Sequence, residues 1–266
     1  MRIYHKLLLC LLFSFTLISC NAAKNSGHSI INYDDGSKWK GQISNGRAHG
    51  QGVLTWPDGT KYTGECKNGL SSGYGTKLFP TGGQYEGYWK NGREDGQGTN
   101  IYPNGNKYTG TFLNAQITGH GTMFYSDGSR YEGDWKNGSR HGQGTSYFTN
   151  GNKYTGPFRD DKFNGYGTFI FADGSKHEGS FKNGNKTGRF TITQTDGLIA
   201  VGEYSSGKEH GNFFVTFPDG RKQMQVWNMG TRISSEGVDT QQQPSSKLLP
   251  PSAQNTSRRR WSKPVE

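Results

Sequence analysis

Few residues in this chain have the types and spacing that chemistry requires. Gly69-Leu70-Ser71-Ser72-Gly73 spells the G-x-S-x-G string that, in hydrolases, holds a nucleophilic serine on a strand-to-helix elbow. Here the string follows an Asn-Gly turn signal, with no helical pattern after it and no His–acid pair to serve it, so it reads as a chance match. His49, His141 and His210 fall in one column of a repeating pattern, as a set of metal ligands could. They lie four and three repeats apart, roughly 38 and 29 Å along a ribbon with two strands per repeat at about 4.8 Å, and cannot meet at one ion. His120 and His177 occupy other columns. Phosphate loops, dinucleotide fingerprints and zinc-ligand spacings are missing from the sequence. The expectation is a non-enzymatic chain with no catalytic residue, no metal and no cofactor.

What remains is the pattern itself. Gly36, Gly59, Gly82, Gly105, Gly128, Gly151, Gly174, Gly197 and Gly220 stand 23 residues apart, and a second glycine column runs from Gly41 to Gly202 at the same step. A bulky column keeps pace: Ile43, Cys66, Trp89, Phe112, Trp135, Phe158, Phe181, Tyr204 and Trp227. Such an unbroken period is the mark of a repeat array, in which each unit needs its neighbours for a core. Only 30% of the residues are hydrophobic whereas 41 are glycine and 13% aromatic, which argues for many tight turns and a layer of rings. Within a unit, Tyr62, Gly64 and Cys66 alternate with Thr63, Glu65 and Lys67, the period of a strand. Asn68-Gly69 then turns the chain into a second strand, and Pro80-Thr81-Gly82-Gly83 turns it into the next unit. Connections this short permit only antiparallel neighbours.

The spelling YEGDWKNGSRHGQGTSYFTNGN, Tyr131 to Asn152, resembles the MORN family, with Gly-Gln-Gly and Gly-Tyr-Gly as its paired glycines. The resemblance covers about residues 34–228 and implies an all-β, elongated, twisted single-layer antiparallel β-meander of tandem 23-residue hairpins. It weakens at the end, where Phe190 and Phe213 replace the second glycine and Ala200 the tyrosine, as terminal capping units do. On the strands, the Tyr and Trp columns are expected on one face. Lys61, Lys107, Arg130, Lys153 and Lys176 are expected on the other, beside Glu86, Glu132 and Glu178 as a self-neutralising charge ladder. The column Trp56, Phe79, Tyr102, Tyr125, Phe148 and Phe171 joins the Tyr face if the loop between units has an odd count, such as three residues with a left-handed glycine.

Residues 1–19 read as a signal peptide: a basic head with Arg2 and Lys6, then an apolar run too short to span a bilayer comfortably. Leu17-Ile18-Ser19-Cys20 resembles the lipobox of bacterial lipoproteins, which implies lipid attachment at Cys20. Asn21 differs from the aspartate of an inner-membrane retention signal, which implies an outer-membrane, envelope location. Residues 20–33 would be the lipidated cysteine and a polar spacer. Residues 229–266 read as a disordered basic tail rich in Gln, Pro and Ser, ending in the cluster Arg258, Arg259, Arg260 and Trp261. Cys66 stands in the bulky column as a small buried hydrophobe, with no disulfide framework around it.

The net charge of +10 divides into three nearly equal shares: +3 before residue 34, +4 in the array and +3 after residue 228. The array is close to balanced, which argues against a nucleic-acid partner. The expected function is a membrane-anchored scaffold or binding module making protein–protein or protein–membrane contacts, with phospholipid headgroups as a candidate ligand. Its partner surface, or self-association surface, is expected at Tyr85, Trp89, Tyr108, Tyr131 and Trp135, an apolar strip on the uncovered face of a single layer. The alternative is a glycan-binding surface, for peptidoglycan or another polysaccharide, built on the same exposed aromatic rows.

Overall fold

The computed structural model describes residues 29–237. All regular structure among them is β. Twenty strands, numbered in chain order from β1 (Ser29–Asn32) to β20 (Thr231–Gly237), form one antiparallel sheet in which sequence neighbours pair. One strand is interrupted: β13 (Lys162–Phe163) and β14 (Gly165–Ile170) both pair with β12 (Lys153–Arg159), as two halves of a single strand broken at Asn164. The sheet is open, because β1 and β20 each have a neighbour on one side. It also runs past the expected array. β1 lies in the stretch read as spacer, and β20 lies in the stretch read as tail.

The unit built from β4 (Lys61–Lys67) and β5 (Leu70–Leu78) shows how the sequence makes its hairpin. Asn68 and Gly69 have φ of 54° and 87°, the left-handed pair of a type I′ turn, whose twist matches that of the flanking strands. The turns between units are of another kind. The Trp56 amide donates to the Thr60 carbonyl at 2.9 Å and the Gly59 amide to the Trp56 carbonyl at 3.0 Å, leaving three residues between the closing pair. The Asp58 carboxylate accepts from the Thr60 amide at 2.9 Å, and the Thr60 amide and hydroxyl hold its pKa below the usual carboxylate value. The odd count turns most of the Trp56 column inward: Trp56, Tyr102, Tyr125 and Phe148 pack against the core and Phe171 lies on Phe169, whereas Phe79 stays 36% exposed with Lys77 over its ring.

Each hairpin carries a wide bulge. In β4–β5 the register jumps from Gly64↔Gly75 to Glu65↔Ser72, so Gly73 and Tyr74 have no partner in β4. Between units the ladder runs without a shift, from Gly73↔Trp89 to Leu78↔Gln84. The jump recurs one unit apart, between Gly87 and Trp89, Gly110 and Thr111, and Gly133 and Trp135. Irregularity is therefore confined within units, and the joints between them are regular.

Burial alternates along β4 as the period predicts, with Tyr62, Gly64 and Cys66 buried and Lys61, Thr63 and Lys67 exposed. Tyr62 lies flat on the neighbouring strand: a Cβ at Gly75 would sit 2.5–2.7 Å from its ring. That close approach is why the file of positions through Gly64 and Gly75 must be glycine here. The charge ladder expected on the other face does not form as such. Of its members, Lys176 and Glu178 pair at 2.8 Å, and the rest make no ion pair within 4 Å among the described residues. Exposed or half-exposed, the remaining side chains gain too little from pairing to hold one geometry.

Candidate binding surface

The five rings expected to form an exposed strip are instead the core. Tyr85, Trp89, Tyr108, Tyr131 and Trp135 are between 0% and 6% exposed. They belong to a continuous file of mostly edge-to-face rings. It runs Tyr62, Trp89, Tyr85, Phe112, Tyr108, Trp135, Tyr131, Phe158, Tyr154, Phe181, Phe190, Tyr204, Phe213 and Trp227, with successive centroids 4.9–6.0 Å apart. Each tyrosine touches a bulky residue of its own unit and one of the next. The expectation failed because it counted layers: rings lying along the sheet cover one another and the glycine files, so a second layer is not needed to bury them.

Their polar atoms are also satisfied. Tyr62 donates to the Glu65 carbonyl at 2.7 Å, Tyr85 to Tyr88 at 3.0 Å, Tyr131 to Asp134 at 2.9 Å and Tyr154 to Pro157 at 3.1 Å. These carbonyls sit at the bulge, and that of Pro157 also accepts from the Asn164 amide at 3.0 Å. Trp89 and Trp135 donate their indole N–H groups to the Gly75 and Gly121 carbonyls at 3.0 and 3.1 Å. Burial pushes the Tyr85, Tyr131 and Tyr154 pKa values up, Tyr108 to about 12, and the Cys66 thiol to about 11. One cluster of charged side chains stands at the far end of this face.

That cluster replaces a tyrosine. His177 stands in the Tyr column, and its Nδ1 contacts the Lys186 ammonium, which lies over the rings of Tyr204 (4.8 Å) and Phe190 (5.4 Å). Tyr204 donates to the Glu209 carboxylate at 3.0 Å. Desolvation, then the Lys186 charge, lowers His177 to about 4; desolvation lowers Lys186 to about 8. The ring that His177 cannot supply comes from across the hairpin. Phe190, where a second glycine is expected, lies on Gly179, and Phe213 lies on Gly202 where Ala200 has no ring. The terminal departures are thus reciprocal exchanges that keep the ring file intact.

With the ring face consumed, the exposed chemistry is on the opposite face. One row crosses the sheet in register: Lys61, Leu78, Gln84, Ile101, Lys107, Phe124, Arg130, Tyr147, Lys153, Ile170 and Lys176. Arg130 lies over Tyr147 at 4.1 Å and Lys153 over the same ring at 5.5 Å. Beside it runs a row of hydroxyls, Thr99, Thr109, Thr122, Thr145, Thr155 and Thr168, with Glu132 between Thr122 and Thr145. A third row holds Tyr74 and Tyr88, 52% and 51% exposed and packed edge to face, and the His120–Asp134 pair at 3.2 Å. The sequence shows these outer residues as plainly as the ring columns. They were not singled out because a basic column on a solvated face carries no signal until the register shows what stands between the cations.

The other sites expected from sequence divide in two. Ser71 lies in β5 opposite Cys66, on a strand rather than an elbow. His49, His141 and His210 lie on three different strands, Arg47–Thr55, Ser139–Tyr147 and Lys208–Thr216. Cys20 and the cluster Arg258, Arg259, Arg260 and Trp261 lie outside the described residues.

Comparison with known proteins agrees with this architecture. The model of the MORN repeat matches six contiguous units, residues 39–61, 62–84, 85–107, 108–130, 131–153 and 154–176. Among curated proteins none matches the chain. Similar solved structures include a point variant of the TCP10 domain of Danio rerio CPAP (13% identity, 79% of this chain and 99% of that one, TM-score 0.31). Another is the SAS-4 TCP domain of Drosophila melanogaster in complex with a proline-rich motif of Ana2 (14%, 77% and 96%, TM-score 0.29). A third is BamB from Moraxella catarrhalis (10%, 74% and 75%, TM-score 0.16). Scores this low carry no argument about fold or function. With six consecutive units matched across more than half its length, this chain belongs to the MORN-repeat family.

Proposed function

We propose that the chain is a lipid-anchored MORN scaffold of the bacterial envelope, held to a membrane through Cys20, which binds partners along its polar outer face. The supporting observation is that every unit spends its ring face on its neighbours, so the outer face is the broad surface left for another molecule. A MORN array is a repeat scaffold rather than a catalyst, and the His177–Lys186–Tyr204–Glu209 cluster is explained by packing: cation over ring, and each polar atom on another. The membrane component rests on the lipobox-like Leu17–Cys20. The test has two arms. Cys20→Ser should move the full chain from the membrane pellet to the soluble fraction; retention in the pellet through a salt wash would remove the anchor. Photo-crosslinkers placed at Thr109 and Thr155 should capture an envelope partner, while one at Thr81, exposed in a turn between units, should not. Equal capture at all three positions would remove the outer face as the binding surface.

A further inference from the structure

We infer that the outer row from Ile101 to Lys176 is a binding track for a linear anionic glycan carrying one acidic group per disaccharide. This deepens the reading of the outer face as the binding surface and rests on it. The register sets the spacing. Lys107, Arg130, Lys153 and Lys176 stand on every second strand, β13 and β14 counting as one, so that each cation is about 9.6 Å from the next. Between them stand Phe124, Tyr147 and Ile170, one apolar side chain per gap, the first exposed and the other two partly so. A sugar ring in an extended β-linked chain advances by about one strand spacing. Acidic groups on alternate sugars would therefore meet successive cations, and the intervening sugars would lay their C–H faces on the apolar residues.

Three features favour a glycan over other anionic partners. The neighbouring row is hydroxyl-rich, and Thr99 with Thr109 and Thr145 with Thr155 already exchange hydrogen bonds at 3.1 and 3.2 Å, so it offers donors and acceptors to a polyol. Glu132 and Glu178 stand in that same row, where they would repel a densely charged polymer or a continuous anionic surface but not a chain charged at alternate units. Finally, the apolar residues are in single file, which suits stacking against rings and gives too narrow a band to enter a bilayer. Lys107, Arg130 and Lys153 make no ion pair within 4 Å among the described residues, and Arg130 is already held over Tyr147, which lowers the cost of ordering it on binding.

The full-length Cys20→Ser chain, free of lipid anchor and detergent, would be titrated with hyaluronan decasaccharide, which carries one carboxylate per disaccharide, with heparin, with neutral cello-oligosaccharide and with phosphatidylglycerol vesicles. Hyaluronan should bind and the neutral glycan should not. Arg130→Gln with Lys153→Gln, and separately Phe124→Ser with Tyr147→Ser, should each weaken hyaluronan at least tenfold while thermal melting shows the array still folded. Lack of hyaluronan binding would overturn the inference. So would heparin binding more tightly than hyaluronan with no loss in the Phe124/Tyr147 variant, the behaviour of a generic polyanion contact. Vesicle binding that hyaluronan does not displace, at the same residues, would assign the row to lipid. If hyaluronan fails yet these variants still lose their crosslinked envelope partner, the glycan falls and the outer-face reading stands.

Discussion

The hydroxyl of Tyr131 does something a phenylalanine could not. Its ring covers Gly144, and its O–H fills the Asp134 carbonyl that the bulge leaves out of the ladder. Tyr131→Phe should keep the packing and lose that donor, at a cost of about 1–3 kcal/mol in urea unfolding, the range for a buried acceptor left unmade. A larger effect is expected from the reciprocal exchange seen at Ala200 and Phe213. Tyr131→Ala and Gly144→Phe should each destabilise, one by a cavity and one by overpacking, whereas together they should recover most of the loss. Additive losses in the double-mutant cycle would mean the slot does not accept a ring from either strand. A pH effect belongs to His177. Its pKa lies near 4 when folded against 6.5 unperturbed, so the folded state resists the proton that the unfolded state takes up. Stability on this account is full above about pH 6.5 and falls as pH drops toward 4. His177→Gln, which keeps an acceptor for Lys186 and cannot be protonated, should flatten that fall; identical pH–melting curves for the two proteins would rule it out. In the sequence, Phe190 and Ala200 read as decay of the motif. The exchanges of His177 with Phe190 and of Ala200 with Phe213 were invisible there because they depend on which residues the register sets side by side.

At the scale of the hairpin, much was legible. Asn68-Gly69 announced its turn, and the odd loop count at Trp56–Thr60 sent most of the Trp56 column inward, Phe79 excepted. The bulge was not legible, although its glycines were: Gly73 and Gly75 look alike as letters. One has φ of 61° and no partner in β4, while the other pairs with Gly64 beneath a ring. The exposed strip was misassigned for a related reason. The period of two separates the faces but does not say which covers itself. Because irregularity is confined within units, deleting residues 128–150 removes one bulge, one type I′ turn and two strands while leaving every joint regular. Cooperative unfolding should survive with a modest loss. Removing eleven residues from the same unit puts the rings of all later strands on the wrong face and should abolish it. Equal urea midpoints for the two deletions would contradict a register-locked array.

For the whole molecule, the open meander has a mechanical consequence. Its first and last strands are at opposite ends of the sheet, so tension between the termini falls across the ladder at the end strand rather than along many strands together. Bonds loaded this way break in succession, as in a zipper, and the weakest link is always the outermost hairpin. Each unit that yields should release 23 residues of slack, about 78 Å at roughly 3.4 Å per residue, less the width of two strands. An optical trap gripping residues 29 and 237 should record a low, nearly even plateau of force broken into steps of that one length, with the strands nearest the ends leaving first. A chain fixed to a surface at one end and loaded at the other would then lengthen by counted increments and wind back unit by unit when the load is removed.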